Sequence, residues 1–400
     1  MDLRTESPFW LMNSGIVRSY PSIKQSSSTD IAIMGGGITG ALIAYYLTQE
    51  GIPAVLLDKR KIGMGSTCAS TALLQYEIDT PLGELTKFVG EKNANQSYLM
   101  CIEAIEKIQK ITQSLASDVG FSLKKSFYYA SGSKDVKEIE TEYRLRKNIG
   151  IELEMLTKQD IASLFPFSAP AGLLSETGAQ IDAYLFTHEL LNTSISNGLQ
   201  VFDKTEVVEI NHHKTGVELK TNYGETIKAK KLIIACGYES QGYLSKKVVD
   251  FNSSFAIVSE PFGNSNLWHQ NALIWETARP YLYMRTTDDN RILIGGKDEP
   301  FYNPEKRDKL KDKKALELQK AFQKKFPDLD FRIDFSWAGT FAETKDGLPY
   351  IGQVKEHPNT YFALGFGGNG IVFSQIAAEV IRDTLIGKKH IGTNIFKFDR

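Results

Sequence analysis

The chain has 400 residues, of which 42% are hydrophobic and 24% charged, and its formal net charge at pH 7 is −1. A chain of this length exceeds one simple core and fits two domains, which can be interleaved. The small net charge provides no field for nucleic acid or an anionic membrane, and no apolar run reaches the roughly 20 residues of a transmembrane helix.

The cysteines and histidines do not suggest a metal site or a disulfide framework. The three cysteines are widely spaced, and the six histidines show no ligand spacing with cysteines or acids. The first residues lack the basic start and long apolar stretch of a secretory signal. We therefore expect a cytoplasmic protein without a metal ion.

The first clear unit along the chain is "DIAIMGGGITGALIAYYLTQEGIPAVLLDKR", residues 30–60. It predicts a buried strand, a glycine turn, a helix and a second strand ending in an acid. In Gly35-x-Gly37-x-x-Gly40, the glycines make the tight turn, admit a pyrophosphate and let helix and strand pack closely. Asp58 follows at about the 20-residue distance where a carboxylate binds a ribose diol. The unit predicts dinucleotide binding, and the acid disfavours a 2′-phosphate.

The later segments alternate between helix and strand patterns. Residues 88–118 have apolar positions spaced by three and four, which predicts a helix. Residues 201–237 and 250–300 are rich in strand patterns. A basic helix with one apolar stripe is expected over 304–329, and a final helix over 370–387.

Two segments with glycines favour a flavin over a nicotinamide cofactor. "KLIIACGYES" predicts a buried strand that meets Gly237 where the sheet faces the pyrophosphate. "YFALGFGGNGIVFSQIAAEVI" predicts a second strand–glycine–helix unit, whose helix N-terminus would stabilise the anionic edge of a reduced flavin. An NAD-dependent dehydrogenase is the runner-up among enzymes, and these two segments argue against it.

Five ordered motifs give the chain a resemblance to the D-amino-acid oxidase-like (DAO) superfamily of FAD-dependent oxidoreductases, which includes glycine, sarcosine and polyamine oxidases. The motifs are "IAIMGGGITG", "VLLDKRKIGMGST", "LIIACGYES", "SWAGTFAETKDGLPYIG" and "ALGFGGNGIVFSQIAAEVI". The chain looks closest to bacterial members of unassigned substrate, some of which carry an additional C-terminal Rieske iron–sulfur domain. We expect no such domain here, because the chain stops soon after the last helix and has no Cys/His ligand pairs.

The resemblance implies an α/β fold with an α+β substrate part. A Rossmann-like FAD-binding domain would be interleaved with a substrate domain built on an antiparallel sheet. The FAD-binding domain would comprise residues 1–90, 155–245 and 336–400. The substrate or cap domain would comprise residues 91–154 and 246–335.

The resemblance also implies which residues bind FAD. The ADP and pyrophosphate side would be lined by Gly35, Gly37, Gly40, Asp58, Lys59, Gly65, Ser66 and Thr67. Val207 would meet the adenine through its backbone, and Gly237 would lie near the pyrophosphate. The isoalloxazine end would be surrounded by Gly347, Gly367, Gly368, Asn369, Gly370 and Ile371.

The implied reaction is oxidation of a C–N bond by hydride transfer from the substrate carbon to flavin N5, with the protein orienting the substrate. If "PYLYMR" is a strand, Tyr281, Tyr283 and Arg285 share one face, which would cover the flavin. The candidate catalytic residues on the substrate side are therefore Tyr283, Arg279 and Arg285. For Arg285, a strand with its polar side facing solvent is an equally good interpretation.

Two departures from the family pattern bear on the substrate. Relatives that oxidise glycine or D-amino acids carry arginines at the positions of Phe341 and Gly368, the first of which pairs with the substrate carboxylate. Loss of a bidentate carboxylate clamp disfavours an ordinary small amino acid and favours an amine or a larger substrate. Arg279 is a candidate replacement.

The leading hypothesis is an FAD-dependent amine or amino-acid oxidase or dehydrogenase. Its partners would be a small-molecule substrate and, as electron acceptor, oxygen or a redox protein. The alternative is a flavin-binding electron-transfer subunit or sensor that turns over no small molecule itself. The missing arginines and the missing Rieske domain leave this alternative open.

Overall fold

The computed structural model describes residues 1–5, 8–263 and 266–400, and Glu6, Ser7, Asn264 and Ser265 lie outside the described residues. The strands are β1 Ser27–Met34, β2 Ala54–Leu57, β3 Leu73–Gln75, β4 Ser122–Leu123, β5 Ser126–Tyr129, β6 Leu153–Thr157, β7 Ala171–Ser175, β8 Gly178–Gln180, β9 Gln200–Phe202, β10 Val207–His213, β11 Gly216–Thr221, β12 Thr226–Ile234, β13 Asp250–Ser259, β14 Leu273–Glu276, β15 Leu282–Thr286, β16 Ile292–Glu299, β17 Ile333–Glu343, β18 Tyr350–Gln353 and β19 Thr360–Leu364. The α-helices are α1 Phe9–Ser14, α2 Ile38–Gln49, α3 Leu82–Val89, α4 Glu91–Ser114, α5 Val136–Asn148, α6 Lys158–Leu164, α7 Ala183–Ser196, α8 Pro304–Lys325, α9 Gly370–Leu385 and α10 Gly392–Ile395.

The first sheet has a parallel centre. Its strand order is β10-β11-β12-β1-β2-β9, and β19 pairs with the far end of β12 and with β18. Strands β9, β2, β1, β12 and β19 run parallel, whereas β10, β11 and β18 pair antiparallel. The predicted strand–helix–strand unit is thus β1, α2 and β2 at the centre of this sheet.

Alternation along β1 gives the first sheet two apolar faces. Ile31 and Ile33 pack in the core that contains helices α2, α7 and α9, whereas Ala32 and Met34 pack in a separate core on the opposite face. Successive side chains of a strand point to opposite faces, so a strand buried on both sides reads as a continuous apolar run.

The second sheet has the strand order β17-β13-β16-β15-β14-β5-β7-β6 and is antiparallel except for the parallel pair β14 and β5. Helix α8 covers one face through Ala315, Leu318 and Phe322. Tyr128 and Trp275, from β5 and β14, belong instead to the core shared with the first sheet. A third, small sheet has the order β3-β8-β4. The predicted α/β class with an interleaved, mainly antiparallel sheet is confirmed.

The strands that join the second sheet cross the predicted domain boundaries. Strands β6, β7 and β17 all lie in the second sheet. The whole of β7 and most of β6 and β17 nevertheless fall within residues 155–245 and 336–400, which are expected to belong to the FAD-binding domain. The boundaries themselves stay predictions. No helix among the described residues has both the length and the apolar character to span a membrane.

Arg146 is a buried cation between the helices and the second sheet. Arg146 of α5 is fully buried, and its guanidinium lies 2.8 Å from the Glu142 carboxylate and 4.0 Å from that of Glu77. Three tyrosine rings lie within 5.7 Å of the guanidinium carbon: Tyr76, Tyr98 and Tyr128. Glu142 also accepts the N–H groups of Leu82 and Gly83 at the start of α3.

Replacement of Arg146 by leucine should reduce the free energy of unfolding by about 3–5 kcal/mol, because it leaves the Glu142 carboxylate buried without its cation. Urea denaturation measures the change. Arg144→Leu is the matched control, since Arg144 is exposed on the same helix and its loss should cost no more than about 0.5 kcal/mol. Equal midpoints for the two variants would contradict the assignment of Arg146 as a structural cation.

Candidate functional site

A cleft of about 1100 Å³ opens where the parallel strands of the first sheet reach their carboxyl ends. Gly35 follows β1, Asp58 follows β2 and Cys236 follows β12, and all three line the cleft. The carboxyl edge of a parallel sheet is where such folds bind their ligands.

The turn between β1 and α2 has no room for side chains. Gly35 has a φ of +110°, and a Cβ there would lie 2.3 Å from the Ala235 carbonyl oxygen. A Cβ on Gly40 would lie 1.9 Å from the Gly35 oxygen, and one on Gly37 would lie 2.9 Å from Thr67 Oγ1. The turn therefore brings the backbone itself to the cleft and packs α2 directly on β1.

Polar groups suited to an anion lie at the start of α2. The Ile38 N–H donates to Thr67 Oγ1 at 3.0 Å. Ser66 Oγ is buried at the cleft without a hydrogen-bond partner among the described residues. Free N–H groups and the dipole of a helix N-terminus favour negative charge, as on a pyrophosphate.

Asp58 is fixed by two backbone donors. Its Oδ2 accepts the Gly36 N–H and its Oδ1 accepts the Arg60 N–H, each at 2.7 Å. Burial raises the pKa of Asp58, and these two hydrogen bonds oppose the rise. Each carboxylate oxygen has a further lone pair, so Asp58 can still accept hydrogen bonds from a ribose diol.

Lys59 and Arg60 share one carboxylate at the same end of the cleft. Arg60 forms a bidentate pair with Glu239, at 2.8 and 2.9 Å, and Lys59 Nζ lies 3.0 Å from Glu239 Oε1. Burial opposes ionisation of Glu239, but the hydrogen bonds with Arg60, the N-terminal ammonium and Lys59 outweigh it and lower the pKa to about 2. These cations are therefore all paired with Glu239, whose single negative charge is smaller than their summed positive charge.

A second cavity of about 1070 Å³ continues from the first. Ser66, Tyr238, Gly370 and Ile371 line both, so the two form one elongated cleft. The second cavity is lined by seven aromatic residues: Tyr238, Phe255, Trp275, Tyr281, Tyr283, Trp337 and Phe341.

The turn before α9 forms the floor of the second cavity. The Gly368 N–H donates to Asp79 Oδ2 at 2.7 Å, and Tyr281 donates its hydroxyl to Asp79 Oδ1 at 3.1 Å. Asn369 Nδ2 donates to the Glu77 carbonyl oxygen at 2.6 Å. A Cβ on Gly367 would lie 2.5 Å from Asp79 Oδ2, so the turn has room for the Asp79 carboxylate only because residue 367 is glycine.

Two buried carboxyl groups line the second cavity with an oxygen unsatisfied. Glu77 is 3% exposed; Ser126 donates to its Oε1 at 2.8 Å, and its Oε2 has no hydrogen-bond partner among the described residues. Asp298 Oδ1 is likewise buried without a partner there. Burial raises the pKa of each of these two carboxyl groups to about 7.

A third cavity of about 860 Å³ leads outward from the second. Asp79, Tyr281 and Asp298 line both, and the third cavity adds Arg279 and Glu343. Burial raises the pKa of Glu343, and Asn252 donates to its Oε2 at 2.8 Å. The cleft thus runs from the glycine turn of β1 past the start of α9 to the surface.

Most of the residues expected to bind FAD lie along this cleft. Those at the first cavity are Gly35, Gly37, Asp58, Lys59, Gly65, Ser66, Thr67, Val207, Gly237, Gly370 and Ile371. Those at the second cavity are Ser66, Gly367, Gly368, Asn369, Gly370 and Ile371. Gly40 lies behind the turn instead, and Gly347 borders the third cavity beside Thr80.

The three substrate-side candidates lie in different places. Tyr283 lines the second cavity. Arg279 is exposed at the third cavity, where it donates to the Asp79 carbonyl oxygen at 3.1 Å. Arg285 shares the strand face of Tyr283 but donates to the carbonyl oxygens of Ala72 and Ile181, at 2.7 and 3.1 Å.

Both interpretations of Arg285 therefore need correction. It is 2% exposed, so its side chain does not face solvent, and it lines none of the three cavities. Burial lowers its pKa to about 10. The carbonyl oxygens of Ala72 and Ile181 accept hydrogen bonds from the guanidinium and hold it away from the cleft.

The sequence interpretation missed most of the acidic side chains of the cleft, namely Glu77, Asp79, Glu206, Glu239, Asp298, Glu299 and Glu343. One signal was available for the first two. They are two residues apart directly after β3, so an extended backbone points both to one face. Asp298 carried no comparable local signal.

The residues present fit FAD. A backbone-lined turn, an unpartnered Ser66 hydroxyl at the start of α2 and an anchored Asp58 match a pyrophosphate and a ribose. The second cavity, with the start of α9 on its floor, matches a flat ring system. Of the described residues, no three His, Cys, Asp or Glu side chains are arranged to hold a metal ion.

Comparisons with known proteins agree with this geometry. The family model DAO, described as FAD dependent oxidoreductase, matches residues 30–384. A Bacillus subtilis protein, YhfW, whose name describes a Rieske 2Fe-2S iron–sulfur protein, is 23% identical over 94% of this chain and 72% of its own. The gamma-glutamylputrescine oxidoreductase of Escherichia coli is 24% identical over 95% of this chain and 89% of its own.

A solved structure extends the likeness to the fold. The glycine oxidase of Geobacillus kaustophilus is 25% identical over 92% of this chain and 96% of its own. Its crystal structure superposes with a TM-score of 0.79, covering 94% of this chain and 99% of that one.

Gly37→Val should abolish flavin binding, because its side chain would occupy the place of the pyrophosphate and press on Thr67 Oγ1. The flavin-to-protein absorbance ratio of the purified variant measures the loss. Gly263→Val is the control, since a side chain there meets open space. If Gly37→Val retained full flavin, the cofactor would have to lie elsewhere.

Proposed function

The chain belongs to the DAO family of FAD-dependent oxidoreductases, and on that basis we propose that it oxidises a C–N bond of an amine or amino acid. The observation that supports this is the second cavity, which meets the first at Gly370 and Ile371 and opens to solvent through the third. A substrate can thereby reach the flavin end of the cleft while the rest of the cofactor stays enclosed. Bound FAD supplies the acceptor for the hydride removed from the substrate carbon.

The chain's own contribution is to hold the substrate and take up its proton. An ammonium must lose a proton before the carbon beside it can give up a hydride, because the nitrogen lone pair stabilises the developing positive charge. Glu77 suits this step, since its Oε2 is unpartnered and its pKa of about 7 lies near working pH. Ser126 fixes the orientation of the other carboxyl oxygen.

The electron acceptor in this proposal is oxygen or a redox protein. An anaerobic visible spectrum, titrated with amines and amino acids and then exposed to air, tests the proposal. Bleaching that reverses in air would establish an oxidase, and bleaching that persists would establish a dehydrogenase with another acceptor. A flavin that no compound bleaches would contradict the proposal and favour an electron-transfer subunit.

Glu77→Gln should lower kcat/KM by about 100-fold, because the amide cannot accept a proton. In the unmodified protein kcat/KM should rise with pH through about 7, as the Glu77 carboxyl group ionises. The rise should become smaller in the variant, because, of the two buried carboxyl groups of the second cavity, only that of Asp298, whose pKa burial also raises to about 7, still ionises in this range. Steady-state kinetics between about pH 5 and pH 9 provide the measurement, because this range extends to both sides of the Glu77 pKa of about 7.

Glu84→Gln is the matched control, since it makes the same change at an exposed position of α3. It should keep the pH profile. A Glu77→Gln variant that retained the full rise would assign the ionisation to another group.

A further inference from the structure

The cleft beyond the flavin end is acidic. Glu77, Asp79 and Asp298 line the second cavity, and of the described residues that line it none is lysine or arginine. Glu299 and Glu343 join at the third cavity, where Arg279 also lies. Arg279 is exposed, so water screens its charge, and it already donates to the Asp79 carbonyl oxygen.

Buried polar atoms in the second cavity lack partners. Glu77 Oε2 and Asp298 Oδ1 accept no hydrogen bond from the described residues. Trp275, 5% exposed, has an indole N–H that donates none to them. Burying such groups unpaired costs free energy, so they indicate a ligand that hydrogen-bonds to them, with N–H donors for the two carboxyl groups.

The aromatic walls fit a cation as well. The Trp275 and Tyr281 rings lie 6.4 Å apart between centroids and are nearly perpendicular, and Tyr281 and Tyr283 lie 5.6 Å apart. Tryptophan and tyrosine faces attract ammonium groups through their quadrupole. Aromatic rings beside carboxylates are therefore a setting for a positively charged nitrogen.

The carboxyl groups lie at two depths along the cleft. Glu77 lines the second cavity but not the third, and it lies next to the start of α9. There the Asn369 side chain donates a hydrogen bond to the Glu77 carbonyl oxygen. Asp79 and Asp298 lie further out, where the second and third cavities meet. A molecule that extends along the cleft meets Glu77 first and the aspartates towards solvent.

We infer that the substrate is a diamine-type molecule without a carboxylate, oxidised at the nitrogen beside Glu77 and held by Asp79 and Asp298 at a second cationic nitrogen. This inference rests on the proposed oxidation of a C–N bond. The reacting nitrogen must give up its proton, so the outer carboxylates suit a nitrogen that keeps its charge. A carboxylate at that place would face Asp79 and Asp298 and be repelled.

A metal ion does not account for these acids, because among the described residues no three of them are arranged to bind one. Lys314 does not neutralise the outer aspartates directly either. Its ammonium lies 2.5 Å from Glu299 Oε1.

The experiment compares ligands that differ only at the far end. Unbranched alkane-α,ω-diamines of increasing length are each matched with the monoamine and the ω-amino acid of equal length. Titration calorimetry on the FAD-loaded protein at about pH 8 measures binding, since alkylammonium groups, like that of lysine, stay charged to about pH 10. The anaerobic flavin spectrum, recorded in parallel, reports oxidation separately.

The best diamine should bind at least about tenfold more tightly than its monoamine or its amino acid, as expected for one added charge-assisted hydrogen bond. Asp298→Asn should reduce this advantage severalfold, because Asp79 then holds the second nitrogen without Asp298. Asp312→Asn, which removes the same charge at an exposed pair with Lys311, should not change it.

The outcomes separate the two proposals. An ω-amino acid or a monoamine that binds as tightly as every diamine would overturn the substrate class, whatever the flavin does. Retention of the full diamine advantage in Asp298→Asn would overturn the assigned contact. Diamines that bind selectively but never bleach the flavin would support the recognition and contradict the proposed oxidation.

Discussion

The Asp79 carboxylate connects three distant parts of the chain, and the shape of the second cavity depends on it. One oxygen accepts the Gly368 N–H before α9, and the other accepts the Tyr281 hydroxyl from the second sheet. The segment after β3 thereby holds the flavin-end turn against the sheet that faces it. Because Gly367 and Gly368 have no side chains, the carboxylate can occupy this place.

The buried charges behind the second cavity are costly in a purely structural role. Arg146, Glu142 and Glu77 are all shielded from water, and a buried ion pair is seldom more stable than apolar groups of the same size. Their arrangement explains how Glu77 keeps an ionisable carboxyl group at an enclosed site. Burial alone raises its pKa, and the Arg146 guanidinium limits the rise. The cluster is therefore better understood as support for the cleft than as a stabilising feature of α5.

A feature was predictable from the sequence when its residues lie close together along the chain, and it was not when they lie far apart. The β1–α2–β2 unit was predictable because its glycines and Asp58 lie within one short segment with a known spacing. The substrate side was not, because Glu77 and Asp298 come from separate parts of the chain and no local pattern relates them. Strand alternation placed Arg285 on the face of Tyr283 correctly. It could not show that the carbonyls of Ala72 and Ile181 would bind the guanidinium first.

The order in which strands join the sheets has a consequence for how the chain reaches this structure. β1, near the N-terminus, pairs with β12, and β12 is completed by β19 near the other end. The second sheet likewise joins β5 to β14 and ends at β17. Such non-local pairing gives a high contact order, so loop-closure entropy must be overcome before the sheets gain stability and folding is slow. During synthesis, the apolar strands of both sheets emerge before their last partners, so the growing chain exposes apolar surface until β17 and β19 are available.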